Sequence, residues 1–208
     1  MPLFKILHPN SETKILVWHI TESIAELSIN ISLSEQSSKR LQSMHSQLHQ
    51  RAFLAVRQLL QLEQLADFDL HYSPTGKPFL KSIQHISISH SHQFAVVALA
   101  MQPVGVDIEL QKEKIMNIAS KFSSEILNQN NKQNYIRNLT RIWSAKEAVF
   151  KIENQKGISF KNHIFVGDCE PHSSQFQSTL RFKDQINIFH HNRYEFENYV
   201  LVLATKNK

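Results

Sequence analysis

A helical pattern followed by a strongly apolar strand occurs twice in this chain. A helical pattern from Ser34 to about Leu65, which contains Arg51, precedes the apolar stretch 93–100, and the helical segment around Arg141 precedes the stretch 199–204. Apolar residues spaced three or four apart indicate a helix, whereas short apolar and β-branched runs indicate a strand. Because Pro103 lies near the join, we expect an α+β fold of two similar α/β halves, residues 1–102 and 103–208.

In this fold the halves pack as a pseudo-dimer, each with a long helix against a mainly antiparallel sheet. The alternative is that the repetition reflects only the helices and strands found in any α+β protein.

Composition places the chain among ordinary globular proteins. Of its 208 residues 41% are hydrophobic, and the formal net charge is +5. The longest apolar run, Phe94 to Met101, is too short to cross a bilayer, and the N-terminal segment lacks the apolar core of a secretory signal. A single cysteine, Cys169, excludes an internal disulfide framework and a zinc site built from cysteines. We therefore expect a cytoplasmic protein with no membrane partner.

Glycine is scarce, which limits how the chain can bind a nucleotide. Its four glycines are too far apart to form the G-x-G-x-x-G motif or the phosphate-binding loop of NTPases, so side chains must hold any phosphate. The positive net charge is compatible with nucleic acid, an acidic protein or a phosphorylated cofactor. Nucleic acid is disfavoured, because the basic residues are dispersed and no RNP-type aromatic segment accompanies them.

Two carboxylates lie on one face of a predicted strand, Val104 to Leu110. Side chains alternate between the faces of a strand, so Asp107 and Glu109 share one face and the aliphatic residues occupy the other. One interpretation is a solvated strand face. The other is half of a site for a hard, oxygen-preferring cation such as Mg²⁺, because neighbouring carboxylates repel unless a cation lies between them.

A helix later in the chain carries a second set of functional groups. Trp143, Glu147 and Lys151 recur every four residues and form one stripe of this predicted helix. The simpler interpretation is a surface Glu–Lys pair beside a packed tryptophan. The functional interpretation makes Glu147 a third carboxylate facing Asp107 and Glu109, with Lys146 and Lys151 near an anionic ligand.

A third set of polar residues comes earlier, in a loop and at a strand end. The loop contains Gly76, Lys77 and Pro78, and the strand ends in Ser89 and His90. His90 and His92 lack a third nitrogen or sulfur ligand nearby, which argues against a metal site. We therefore interpret Ser89 and His90 as a phosphate-binding pair.

The order of these motifs resembles that of the 4′-phosphopantetheinyl transferase superfamily, in its Sfp-like type with two similar halves in one chain. The resemblance covers roughly residues 40–160, and its last two motifs together are the most specific. A Phe-Ser-Ser-Glu segment at residues 122–125 also resembles the family pattern. The motifs are Gly76-Lys77-Pro78, Ile88-Ser89-His90, Gly105-x-Asp107-x-Glu109 and Trp143-x-x-Lys146-Glu147-x-x-x-Lys151.

The resemblance implies a catalytic centre in the C-terminal half. Asp107, Glu109 and Glu147 would be the Mg²⁺ ligands. Lys151 would contact the transferring phosphate, and Glu147 would also be the candidate base. The catalytic residues implied are therefore Asp107, Glu147 and Lys151.

The resemblance also implies coenzyme A contacts in the N-terminal half. Lys77, Ser89 and His90 would hold the 3′-phosphoadenosine end of coenzyme A, and the backbone at Pro78 would lie beside adenine. Family members carry a basic residue on the first long helix that reaches the 3′-phosphate. Arg51 and Arg57 are both candidates for that residue, and Lys151 would complete the coenzyme A contacts.

The activity implied is transfer of phosphopantetheine from coenzyme A to a serine of an apo acyl or peptidyl carrier protein, with release of 3′,5′-ADP. The implied partners are coenzyme A and the carrier protein, with Mg²⁺ as cofactor and a monomeric enzyme. The alternative is a non-catalytic coenzyme A or nucleotide-binding module.

Overall fold

The computed structural model describes residues 3–124, 131–167 and 173–206, and it divides into two compact units, Met1–Met101 and Gln102–Lys208. Both units combine helices with antiparallel strands, which confirms the α+β class predicted from the sequence. None of the helices within the described ranges has the length and apolar composition needed to cross a membrane.

The N-terminal unit is built on a four-stranded antiparallel sheet with the strand order β1-β2-β6-β5. A two-stranded ribbon, β3-β4, is formed by the segment between the long helix and the last two strands. The strands are β1 (Leu3–Asn10), β2 (Thr13–His19), β3 (Leu70–Tyr72), β4 (Pro78–Leu80), β5 (His85–Ser91) and β6 (Phe94–Ala100).

Three helices accompany this sheet: α1 (Ile24–Ser28), α2 (Glu35–Ser43) and α3 (Gln47–Leu62). The long helix α3 contributes Leu54 and Leu59, both fully buried, to a core shared with Leu16 of β2 and Val97 of β6. This core explains why β6 is apolar at every position, since all its residues are buried.

The sequence predicted one helix from about residue 34 to 65, and this prediction is wrong. The structure contains two helices, because α2 ends at Ser43 and α3 begins at Gln47 with Ser46 as its N-cap. The apolar spacing continues across the break through Leu41 and Met44, so periodicity alone does not reveal it. The N-cap of α1 is likewise a serine, Ser23.

The C-terminal unit contains a five-stranded antiparallel sheet with the order β7-β11-β10-β9-β8. Its long helix packs against β7 and β11, and a 3₁₀ helix (Glu113–Lys121) precedes it. The elements are β7 (Val104–Leu110), α4 (Lys132–Glu153), α5 (Phe160–His163), β8 (Ile164–Val166), β9 (Gln175–Phe182), β10 (Gln185–Phe196) and β11 (Tyr199–Lys206).

Candidate functional site

Gly105 allows helix α4 to approach strand β7 very closely. A Cβ atom added to this residue would lie 1.9 Å from the carbonyl oxygen of Ala148 in α4. Side chains two residues apart in a strand share a face, so Asp107 and Glu109 point toward α4 as Gly105 does. The strand face that carries Asp107 and Glu109 is therefore the face against which the helix packs.

Asp107 and Lys151 join the strand to the helix. The Lys151 ammonium donates to Asp107 Oδ1 at 2.7 Å and to the backbone carbonyl of Val106 at 2.8 Å. The side chain of Asp107 is only 6% exposed and that of Lys151 is 27% exposed. This ion pair is therefore partly shielded from solvent.

Glu147 lies one helical turn before Lys151 and belongs to the same electrostatic cluster. Burial raises the pKa of its carboxyl to about 7, and the negative charge of Asp107 adds to this effect. The Lys151 ammonium opposes the rise, whereas the charge of Glu109 adds to it. A carboxyl group with a pKa near neutrality can accept a proton at physiological pH and release it again.

The chemistry of this cluster suits a hard cation, although the side chains are not arranged around one. Asp107, Glu109 and Glu147 supply only oxygen donors, and their mutual repulsion is visible in the raised pKa of Glu147. Within the part of the chain that the structure describes, no three His, Cys, Asp or Glu side chains are placed to coordinate a metal. The ammonium of Lys151 forms an ion pair with Asp107 and offsets its negative charge.

Lys146 does not occupy the position that the sequence suggested. We expected its ammonium near an anionic ligand, but the residue is 4% exposed and its Nζ donates to the carbonyls of Phe160 and Ile164 at 2.6 and 2.5 Å. The neighbouring Trp143 packs against the ring of Phe160, with centroids 5.4 Å apart. Lys146 therefore connects α4 to the segment that leads into β8.

In the N-terminal unit, His90 lines a pocket of about 260 Å³. It shares the pocket with the imidazole of His49, whose ring centroid lies 5.7 Å from its own, and with the guanidinium of Arg40. We call this the basic pocket; its lining residues are Arg40, Met44, His49, Ala52, Phe53, Val56, Arg57, Tyr72, Ile88 and His90.

The two candidate arginines of α3 differ in their surroundings. Arg57 is 3% exposed and forms a buried ion pair with Asp67, with Nε 2.9 Å from Oδ1. Arg51 is half-buried and donates from Nη2 to the carbonyl of Ile20 at 2.9 Å. Arg57 therefore lies at the edge of the basic pocket, where the carboxylate of Asp67 already neutralises its charge.

The remaining predicted residues lie at different distances from this pocket. Pro78 pairs with Tyr72, a lining residue, so the turn that contains Lys77 begins beside the pocket. Ser89 is 7% exposed and, as the strand neighbour of His90, points to the opposite face of β5. The structure therefore brings together His90 and the Lys77–Pro78 turn, but not the side chain of Ser89.

Arg40, His49 and Tyr72 line the basic pocket and were not among the residues predicted from the sequence. They come from α2, α3 and β3, so no spacing along the chain connects them with His90. Arg40 also stacks on Tyr72, with Cζ 4.8 Å from the ring centroid, and no local sequence pattern predicts this contact.

Part of the Phe-Ser-Ser-Glu motif can be placed. Phe122 is fully buried and packs edge-on against Trp143 at 5.1 Å between centroids. Glu125 and Cys169 lie outside the described residues.

Comparison with known proteins connects the C-terminal unit with a family. Residues 103–204 match the family model of the 4′-phosphopantetheinyl transferase superfamily. The chain is similar to the 4′-phosphopantetheinyl transferase Sfp of Bacillus subtilis (strain 168), with 34% identity over 104 residues that are 46% of either chain.

It is also similar to the 4′-phosphopantetheinyl transferase psf-1 of Bacillus pumilus, with 36% identity over 52% of this chain and 48% of the relative. The 4′-phosphopantetheinyl transferase gsp of Aneurinibacillus migulanus is 38% identical over 36% of this chain and 34% of its own length. The chain thus spans less than half the length of each of these three relatives.

Proposed function

Because residues 103–204 match the family model of the 4′-phosphopantetheinyl transferase superfamily, we propose that the chain transfers phosphopantetheine from coenzyme A to a serine of an apo carrier protein. The products are the holo carrier protein and 3′,5′-ADP. The observation that carries this proposal is the cluster of Asp107, Glu147 and Lys151, which lies within the residues that match the family.

The reaction forms a bond between the serine oxygen and the β-phosphorus of coenzyme A and breaks the bond from that phosphorus to the bridging oxygen, which leaves with 3′,5′-ADP. Glu147 accepts the serine proton as the general base. The Lys151 ammonium contacts the transferring phosphate and offsets the charge that develops on it.

A divalent cation fits the donor set of this site. We assign Asp107, Glu109 and Glu147 as its ligands, since hard carboxylate oxygens are what Mg²⁺ prefers. When bound, Mg²⁺ supplies neutralisation of the pyrophosphate charge. Lys151 must then exchange part of its contact with Asp107 for the phosphate, which its 27% exposed side chain permits.

The N-terminal unit holds the 3′-phosphoadenosine end of coenzyme A in this proposal. The basic pocket offers one guanidinium and two imidazoles from Arg40, His49 and His90, a donor set suited to a phosphate dianion. Lys77 and the backbone at Pro78 lie in the adjoining turn. Of the earlier candidates, Arg51 and Ser89 remain proposed contacts, and Arg57 contributes from its ion pair with Asp67.

The broader description of the protein remains part of the proposal. We assign the coenzyme A contacts to the half 1–102 and the catalytic motifs to the half 103–208, as the two halves of a pseudo-dimer. What supports this is that each unit has a long helix packed on an antiparallel sheet. We further propose a monomeric, cytoplasmic enzyme whose partners are coenzyme A and an acyl or peptidyl carrier protein, not nucleic acid or a membrane.

A direct assay tests this function. The protein is incubated with coenzyme A, Mg²⁺ and an apo carrier protein, and mass spectrometry should show the carrier gaining one phosphopantetheine group. Glu147→Gln keeps the shape of the side chain but removes its ability to accept a proton, so the rate should fall by about 100-fold or more. Binding of coenzyme A without any transfer would instead support the non-catalytic binding module.

A further inference from the structure

Helix α2 has few contacts of its own to fix its position. It is nine residues long and mostly polar, and an isolated helix shorter than about 12 residues is marginal in water. Its apolar contacts with the core come from Leu41 and from Met44 just beyond its end, both only partly buried. The position of α2 must therefore depend on what anchors its N-terminus.

Asp67 provides that anchor. Its carboxylate, 1% exposed, accepts hydrogen bonds at 2.9 Å from the backbone N–H of Ser34 and at 2.9 Å from the hydroxyl of Ser37. Ser34 is the N-cap of α2, and Ser37 lies in its first turn. One buried carboxylate thus holds both the N-cap and the first turn of the helix.

Arg57 connects this carboxylate with α3. Its Nε donates to Asp67 at 2.9 Å and its Nη2 to Ser37 Oγ at 3.3 Å. Burial raises the pKa of Asp67, but the hydrogen bonds from Ser34, Arg57 and Ser37 outweigh this effect and hold it below its usual range. The carboxylate therefore stays charged and bonded to both helices at neutral pH.

The contacts continue from this network to the basic pocket. The guanidinium carbon of Arg57 lies 3.4 Å from the ring centroid of Phe53, and that of Arg40 lies 5.8 Å from the same centroid. Arg40 also stacks on Tyr72 and lines the pocket together with His90. A displacement of α2 would therefore move Arg40 away from the pocket while His90, on β5, stays in place.

We propose that Asp67 is a positioning residue for the basic pocket: it holds α2 so that Arg40 lies beside His49 and His90, and it thereby sets the affinity for the 3′-phosphate of coenzyme A. This inference rests on the function proposed above. Asp67 makes no contact with the ligand itself, and its effect passes through Arg40.

The expected loss of affinity for coenzyme A follows from the fraction of molecules in which α2 is docked. If loss of Asp67 leaves α2 docked in about a tenth of the molecules, the apparent dissociation constant for coenzyme A rises about 10-fold. Dephospho-coenzyme A lacks the 3′-phosphate, so its affinity should change by less than about 2-fold. Arg40→Ala should show the same difference, and the double variant should add little to either change.

The experiment measures the dissociation constants of both ligands by calorimetry for the wild type, Asp67→Ala, Arg40→Ala and the double variant. Asp67→Asn is included because it preserves the volume of the side chain. Its amide must, however, place an N–H group against one of the groups that donate hydrogen bonds to Asp67 in the wild type. The matched control is Glu63→Gln, which removes another ion pair of the same unit, that with Lys14 at 2.7 Å, without touching α2. This control should bind both ligands as the wild type does.

A second readout does not depend on coenzyme A. Amide hydrogen exchange across residues 37–43 should accelerate in both Asp67 variants and stay unchanged in Glu63→Gln. Unchanged exchange in the Asp67 variants, equal loss of affinity for the two ligands, or additive effects of Asp67 and Arg40 would each overturn the inference. A wild type that does not distinguish the two ligands would refute the proposed pocket ligand, while the exchange measurement would still decide whether Asp67 anchors α2.

Discussion

Replacing Gly105 with alanine should disrupt the proposed catalytic cluster of Asp107, Glu147 and Lys151, because the added Cβ would push strand β7 and helix α4 apart. The added Cβ would lie 1.9 Å from the carbonyl oxygen of Ala148 and 2.8 Å from its carbonyl carbon. An ordinary contact begins at 3.4 Å, so the strand and the helix must separate by about 3.4 − 1.9 = 1.5 Å. No side-chain rotation can relieve this contact, because both atoms belong to the helix backbone.

The substitution should lower both the stability of the protein and the rate of the reaction. Overpacking of this kind typically lowers the free energy of unfolding by about 1–3 kcal/mol. The same shift separates the elements that carry Asp107 and Lys151, whose ion pair is now 2.7 Å long. A misplacement of about 1 Å in a catalytic group can reduce the rate about 100-fold, so activity should suffer more than stability.

The assay compares kcat/KM for phosphopantetheine transfer with stability from chemical unfolding. Ala148→Gly in the same molecule should not rescue Gly105→Ala, because the clash is with the backbone of Ala148 and not with its methyl group. Gly157→Ala is the matched control in this unit: its φ of +90° makes alanine strained by about 1–2 kcal/mol, but it lies outside the cluster. A Gly105→Ala enzyme with kcat/KM within 2-fold of the wild type would refute the close-approach argument.

Three further predictions concern charge and burial. Lys146→Met should lower the free energy of unfolding by about 2 kcal/mol, because two carbonyls lose their hydrogen-bond donor. The KM for coenzyme A should stay within 2-fold of the wild-type value. A selective rise in this KM would show that Lys146 contacts the ligand after all. Burial, with the nearby charges of Arg141 and His190, lowers the pKa of His191 to about 3. The free energy of unfolding should therefore fall by up to about 1.4 kcal/mol per pH unit as the pH drops below about 6.5. Chemical unfolding between pH 4 and 7 should show that the stability of His191→Gln depends less on pH than that of the wild type. The KM for an acidic carrier should rise with salt more steeply than kcat falls, because the chain has a net charge of +5; a KM that stays flat up to physiological salt would indicate an apolar docking surface.

The sequence predicted those features of the fold that depend on local periodicity. Alternation of side chains identified β7 and placed Asp107 and Glu109 on one face, and the strand lies at Val104–Leu110 as predicted. The four-residue spacing likewise put Glu147 and Lys151 on one stripe of α4. Both inferences need only the geometry of a single element.

Features that depend on contacts between elements were not predicted. The break between α2 and α3 is set by a serine cap within an unbroken apolar pattern, and tertiary packing decides where the chain turns. The sequence also did not reveal the buried ion pair of Arg57, one of the two arginines of α3 predicted to contact coenzyme A. Asp67, which neutralises it, lies ten residues away in a 3₁₀ turn whose position the sequence pattern does not reveal.

The motif Gly105-x-Asp107-x-Glu109 shows how a packing requirement and a chemical requirement combine in one strand. An ammonium on α4 reaches a carboxylate on β7 at 2.7 Å because the helix backbone lies almost against the strand backbone. A residue with a Cβ at position 105 would hold the two elements apart, and the side chains of Lys151 and Glu147 would then meet Asp107 at greater distances. Gly105 is therefore part of the proposed site although it has no side chain, since it sets the separation at which the charged groups of β7 and α4 interact.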